Sequence, residues 1–183
     1  MDTGRDILEA LSTSVAVYQH DAVQAAMDRP EDVVPRLVAQ LEQMLRTPEA
    51  FCDGEDASHL PLYAVTLVGH HRATEAHRVL VELASLPGEL PFDVFGDAVH
   101  ECLPVALWKT SGGETGRLEE LVRKREANEY CREAAIQALG LGVAEGRLER
   151  EDVVRILQGQ LAEQEDTEAQ GVVREGAALA LGQ

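Results

Sequence analysis

The chain has 183 residues, 45% of them hydrophobic but only 4% aromatic, and a formal net charge of −17 from 33 acidic and 16 basic side chains. This length suits a single domain with a continuous core, and the core must be built from Ala, Leu and Val, which disfavours a β-sandwich rich in β-branched and aromatic residues. A surface this negative repels phosphate backbones and anionic headgroups, so nucleic acid and membrane are disfavoured as direct partners and a basic protein or peptide is favoured.

Taken in chain order, Ile7, Leu8, Leu11, Val15 and Ala16 recur at helical spacing and predict a first helix over 7–18. A short helix follows from Asp21, a good N-cap, through Val23, Ala26 and Met27, until Asp28-Arg29-Pro30 breaks it. Val33, Val34, Leu37, Val38, Leu41, Met44 and Leu45 mark the next helix, with Pro35 expected in its first turn. Residues 47–58 read as a loop, followed by helices over 60–70 and 73–86. Leu86-Pro87-Gly88-Glu89-Leu90-Pro91 is strong punctuation. Residues 92–108 are read as one helix that Pro104 kinks or divides. Thr110-Ser111-Gly112-Gly113 is a turn, and Leu118, Leu121 and Val122 mark another helix. Residues 130–144 and 152–161 form a pair, and a last helix occupies about 172–181.

The stretch Arg132-Glu133-Ala134-Ala135-Ile136-Gln137-Ala138-Leu139-Gly140 returns as Arg174-Glu175-Gly176-Ala177-Ala178-Leu179-Ala180-Leu181-Gly182, an offset of 174 − 132 = 42 residues. That is the period of a two-helix repeat of the HEAT or armadillo kind, which buries its apolar stripe only by stacking on a neighbour. The expected fold is therefore all-α: a HEAT-like solenoid of about four antiparallel helix pairs in one domain, 1–183. An irregular repeat occupies 1–50, regular pairs lie near 57–86, 91–125 and 128–163, and a half-repeat fills 166–183. An uncapped half-repeat would expose Val172, Val173, Ala177, Leu179 and Leu181. The expectation is that the native chain continues past residue 183, or that two copies dimerise through this helix.

The three cysteines, Cys52, Cys102 and Cys131, are odd in number and lack C-x-x-C spacing, which predicts a reducing cytoplasm and neither a disulfide framework nor a zinc ribbon. The first six residues lack the basic and apolar regions of a signal peptide, and no run approaches the 18 or so apolar residues of a membrane span.

A family resemblance emerges from Leu86-Pro87-Gly88-Glu89, Phe95-Gly96-Asp97 and Glu101-x-Leu103, continued by Asn128-Glu129-Tyr130-x-Arg132-x-Ala134-Ala135, Val143-Ala144-Glu145-Gly146-Arg147 and Arg150-Glu151. In this order and spacing the motifs resemble the bacterial HEAT-like family catalogued as domain of unknown function 1186. The resemblance implies a helical fold and no established activity. Some members append a cysteine-rich zinc motif of the SecA C-terminal type, which none of the three cysteines matches, so no cofactor is expected.

Several constellations could carry chemistry. Asp97-x-x-His100-Glu101 places two carboxylates and an imidazole on one helical face, and Asp56-x-x-His59 repeats the di-iron spacing. Asp56 falls in a predicted loop, so the favoured reading is structural: Asp97 caps or ties a neighbouring repeat and Glu101 is solvated. His70, His71 and His77, with Glu75, are expected to cap carbonyls and face water at a helix–helix turn. Asn128 is an N-cap followed by the early-turn acid Glu129, and Arg132 is expected to pair with Asp97 or another acid across a repeat boundary. Trp108 is a candidate anchor, with burial in the core as the preferred alternative. Gly112-Gly113-x-x-Gly116-Arg117 follows no strand and lacks the ending of a phosphate loop, and Cys102 and His100 point in different directions.

The leading functional expectation is a non-enzymatic module that binds a protein or peptide of basic character, with Asp97, Glu101, Trp108, Asn128, Glu129 and Arg132 as binding residues and no metal. Two alternatives stand beside it. One is an immunity-type inhibitor whose acidic surface blocks a basic toxin. The other is a lyase-like or metal-dependent enzyme on a HEAT-like scaffold, which would need a deep pocket lined by His100, Glu101 and Tyr130.

Overall fold

The computed structural model describes residues 3–13, 18–51, 59–161 and 168–182, and these are helical almost throughout, with no β-strand among them. The helices are α1 (Thr3–Leu11), α2 (His20–Asp28), α3 (Pro30–Arg46), α4 (Leu60–His70), α5 (His77–Ala84), α6 (Leu90–Phe95), α7 (Ala98–Glu101), α8 (Leu103–Thr110), α9 (Gly116–Arg123), α10 (Glu129–Ala144), α11 (Arg150–Leu161) and α12 (Glu168–Gly182). Short 3₁₀ turns occupy Pro48–Phe51 and Thr74–Ala76.

Prolines open four of these helices. Pro30, Pro61, Pro91 and Pro104 sit at the first or second helical position, where the missing N–H would lack an intrahelical partner anyway. Because α3 begins at Pro30, Pro35 falls beyond its first turn, with its ring on the exposed side. The helix predicted over 92–108 is three pieces. Gly96 adopts φ 54°, ψ −140°, a region that only glycine enters readily, and this ends α6 before Pro104 can act. A second break at Cys102 leaves α7 only four residues long.

Aliphatic side chains fill the interior, with Leu37, Leu41, Leu80, Leu83, Leu103, Leu107, Leu118, Leu121, Ile136 and Leu139 fully buried. In the middle of the molecule α4 packs on α8, α8 on α10, and α10 on α12, while α5 contacts both α8 and α9. Small residues bring the α4–α8 backbones together: a Cβ built on Gly69 would lie 3.0 Å from the Ala106 Cα. The C-terminal helix corrects one expectation. Val173 and Ala177, read from the sequence as uncovered, are buried, because α12 lays one face on both α10 and α11. Leu179 and Leu181 lie outside the described side chains.

Candidate functional site

The residues joining the central helices fall into a locked layer and an open one. Asn128 belongs to the locked layer. Its side-chain oxygen accepts from the Tyr130 N–H at 3.0 Å, capping α10, while its Nδ2 donates to the Gly88 carbonyl at 2.9 Å. An isolated antiparallel bridge between Pro87 and Ala127 adjoins this bond. The Leu-Pro-Gly-Glu and Asn-Glu-Tyr segments, 40 residues apart at the Asn128–Gly88 bond, thus form one clasp. Arg132, one turn later, donates its Nε to the Val122 carbonyl at 3.0 Å, tying α10 to the end of α9. Asn128 is 4% exposed and Arg132 3%, so both work from inside the fold. Beside them burial pushes the Cys131 thiol up to about 12, with Glu129 and Glu89 acting in the same direction.

Trp108 is also buried, and its indole N–H donates to Glu145 at 2.9 Å. Lys109 pairs with the other oxygen of the same carboxylate. These two hydrogen bonds hold the Glu145 carboxyl below its ordinary range. His77 is 7% exposed, unlike the water-facing histidine expected there, and its Nδ1 lies 3.1 Å from the Thr110 hydroxyl. That hydroxyl donates to the Ala106 carbonyl at 2.7 Å, so Nδ1–H is the donor to it and Nε2 carries the lone pair. Burial, helped by the nearby Arg117 charge, lowers the His77 pKa to about 4. His71 does meet a carbonyl, donating from Nε2 to Ala26 O at 3.1 Å, and His70 is exposed against its ring.

The open layer follows α4, α8 and α10. A cleft of about 440 Å³ between α4 and α8 is lined by Val65, Thr66, His70, Glu101, Val105 and Lys109, among others. A second cleft, of about 320 Å³, lies between α7–α8, α10 and α12, with walls that include His100, Glu101, Val105, Glu133, Gln137 and Gly176. Glu101 and Val105 belong to both, so the two clefts adjoin across α8. Val105 is 43% exposed, an apolar side chain in water at the place where they meet. His100 lines the second cleft. Its ring packs on Phe92 and Tyr130 at centroid distances of 5.3 and 5.1 Å, and Phe92 and Tyr130 are themselves 5.6 Å apart.

Of the six residues singled out from the sequence, Glu101 is at the clefts. Asp97 is exposed at the start of α7 with no side-chain capping bond, and Glu129 is half-buried in the first turn of α10. One ring from each of the Asp97–Glu101 and Asn128–Arg132 motifs, His100 and Tyr130, is in contact with the other. His100 and Glu101 share a cleft, whereas Tyr130 supports the His100 ring. Asp56 lies outside the described residues. Sequence reasoning missed Val105 and Glu133, because an apolar residue on α8 looks the same whether it faces the core or a cleft. The second appearance of Arg-Glu at 174–175 was the available pointer to Glu133.

Among the described residues no group of three or more His, Cys, Asp or Glu is placed to hold a metal ion, and no helix is long and apolar enough to cross a membrane. Two uncharacterized proteins, from Chlamydia trachomatis serovar D and Chlamydia muridarum, are each 28% identical to this chain over 149 residues. The aligned part is 81% of this chain and 59% of each relative's length. No solved structure matches. Residues 3–179 match the family described as protein of unknown function (DUF1186), to which the chain belongs.

Proposed function

We propose that this chain is a HEAT-like solenoid, made of stacked helix pairs with a terminal half-repeat, that acts without catalysis in the cytoplasm by binding a basic protein or peptide. The stacking reading is supported by the order of packing, in which α4, α8, α10 and α12 each meet the next member of the series. The binding reading rests above all on the adjoining clefts along α8, where exposed Val105 lies between them and Glu101 opens into both. Such a surface suits an extended or helical segment with an apolar anchor, and the charge of −17 draws a basic one towards it. Inhibition of a basic toxin is the same chemistry with a particular partner. Pairing of two copies through α12 is a separate proposal, read by light scattering against concentration.

Selection of random twelve-residue peptides on the whole chain tests the binding reading. Enriched sequences are expected to combine Lys or Arg with apolar residues, to bind more weakly as salt rises, and to be lost on Val105→Asp. Absence of enrichment, or identical capture by Val105→Asp, would refute the groove.

A further inference from the structure

The cleft between α8, α10 and α12 differs in character from its neighbour. The α4–α8 cleft mixes Glu101 with Arg72 and Lys109, and Lys109 is paired with Glu145. The second cleft carries Glu101 and Glu133 with no Lys or Arg among the described residues of its walls, beside apolar Pro104, Val105 and Leu141. Glu133 is held in place there. Its Oε1 accepts from Gln137 Nε2 at 3.1 Å, one turn along α10. Its stem lies over Gly176 of α12, so close that a Cβ on Gly176 would fall 2.7 Å from the Glu133 Cγ. A side chain at residue 176 would displace the carboxylate, and its absence gives Glu133 a fixed seat. His100, packed on Phe92 and Tyr130, is part of the same cleft wall. Acids from α7 and α10 beside apolar Pro104, Val105 and Leu141 complement a long cationic side chain, whose methylenes can lie on the apolar residues while its head meets carboxylate.

Resting on the peptide-binding reading above, we infer that this cleft is the receptor for an arginine side chain of the basic partner, held between Glu101 and Glu133. Arginine fits better than lysine because a planar guanidinium presents donors along several edges to two separate carboxylates, whereas an ammonium is a point charge. The neighbouring cleft, reached over Val105, takes the apolar residue beside that arginine. A peptide is the occupant, rather than a small free cation, because the acidic cleft adjoins a second one whose walls include Val65, Val105 and Ala106, which a single cation would leave empty.

The probe is a set of twelve-residue peptide pools with random flanks and a central position fixed as arginine, lysine, citrulline or leucine, titrated against the full chain by fluorescence anisotropy. Citrulline has the shape of arginine without its charge. The arginine pool is expected to bind about tenfold or more tighter than the citrulline pool, the worth of a charge-assisted hydrogen bond, with lysine in between. That advantage is expected to collapse on Glu133→Gln and on Glu101→Gln, and to shrink on Gly176→Ala with helicity by circular dichroism unchanged. Equal binding of all four pools would overturn the arginine site while leaving the groove standing. An arginine preference that survives both Gln variants would overturn its location. If no pool binds, the groove reading falls and the inference with it.

Discussion

His77 shows how far a single side chain can depart from what its neighbours in sequence suggest. His70 and His71 lie at the surface end of α4, but His77 opens α5 pointing inward onto Thr110. Its pKa falls from 6.5 to about 4, so the unfolded chain holds more protons than the folded one between those values. Stability should therefore be complete above about pH 6.5 and fall with pH down to about 4, by about 3 kcal/mol in total from this group. His77→Gln is expected to flatten that part of a urea-unfolding profile against pH, and an unchanged slope would remove His77 as its cause. Cys131 makes the complementary case. A buried thiol with a pKa near 12 has almost no thiolate at neutral pH, so alkylation of the native chain mapped by mass spectrometry should spare it and label half-buried Cys102 before it.

At the scale of elements, stability concentrates where helices are clasped. Asn128→Ala removes both the cap of α10 and the bond to Gly88, and should cost about 1–3 kcal/mol. Asn128→Asp keeps the cap acceptor and loses the donor, so it should fall between the two in chemical denaturation. Gly69→Ala inserts a methyl 3.0 Å from the Ala106 backbone, which must force α4 and α8 apart. The expected loss is again about 1–3 kcal/mol, the usual cost of overpacking, with a shift in the α4–α8 cleft reported by Val105 methyl resonances. A neutral effect would mean that the two helices slide without cost.

Across the whole molecule, the charge of −17 acts on folding as well as on partners. Like charges repel across the compact surface, and salt screens that repulsion over about 8 Å at physiological ionic strength. The midpoint of thermal unfolding should therefore rise between low salt and a few tenths molar, in the same range where binding of a basic peptide weakens. Opposite signs of the two salt effects separate this account from a general effect of salt on burial. A midpoint that falls with salt would place the surface ion pairs, such as Arg78 with Glu42 and Glu82, above the net repulsion.

The helical class and most helix positions were legible in the sequence because apolar periodicity, prolines and N-caps act locally, within a turn or two of the residues that carry them. Asn128 as a cap and the arrangement of 129–144 are examples. The family was legible too, in motifs such as Leu-Pro-Gly-Glu and Asn-Glu-Tyr, which the Asn128–Gly88 bond joins across 40 residues of this chain. Where a side chain ends up facing was decided only by tertiary packing. The same helical spacing put Leu103 in the core and Val105 in a cleft, buried Val173 where α12 packs on α10 and α11, and turned His77 inward. Glu133 gained a fixed place only because α12 brings Gly176 against it, a contact between residues 43 positions apart that local periodicity does not encode.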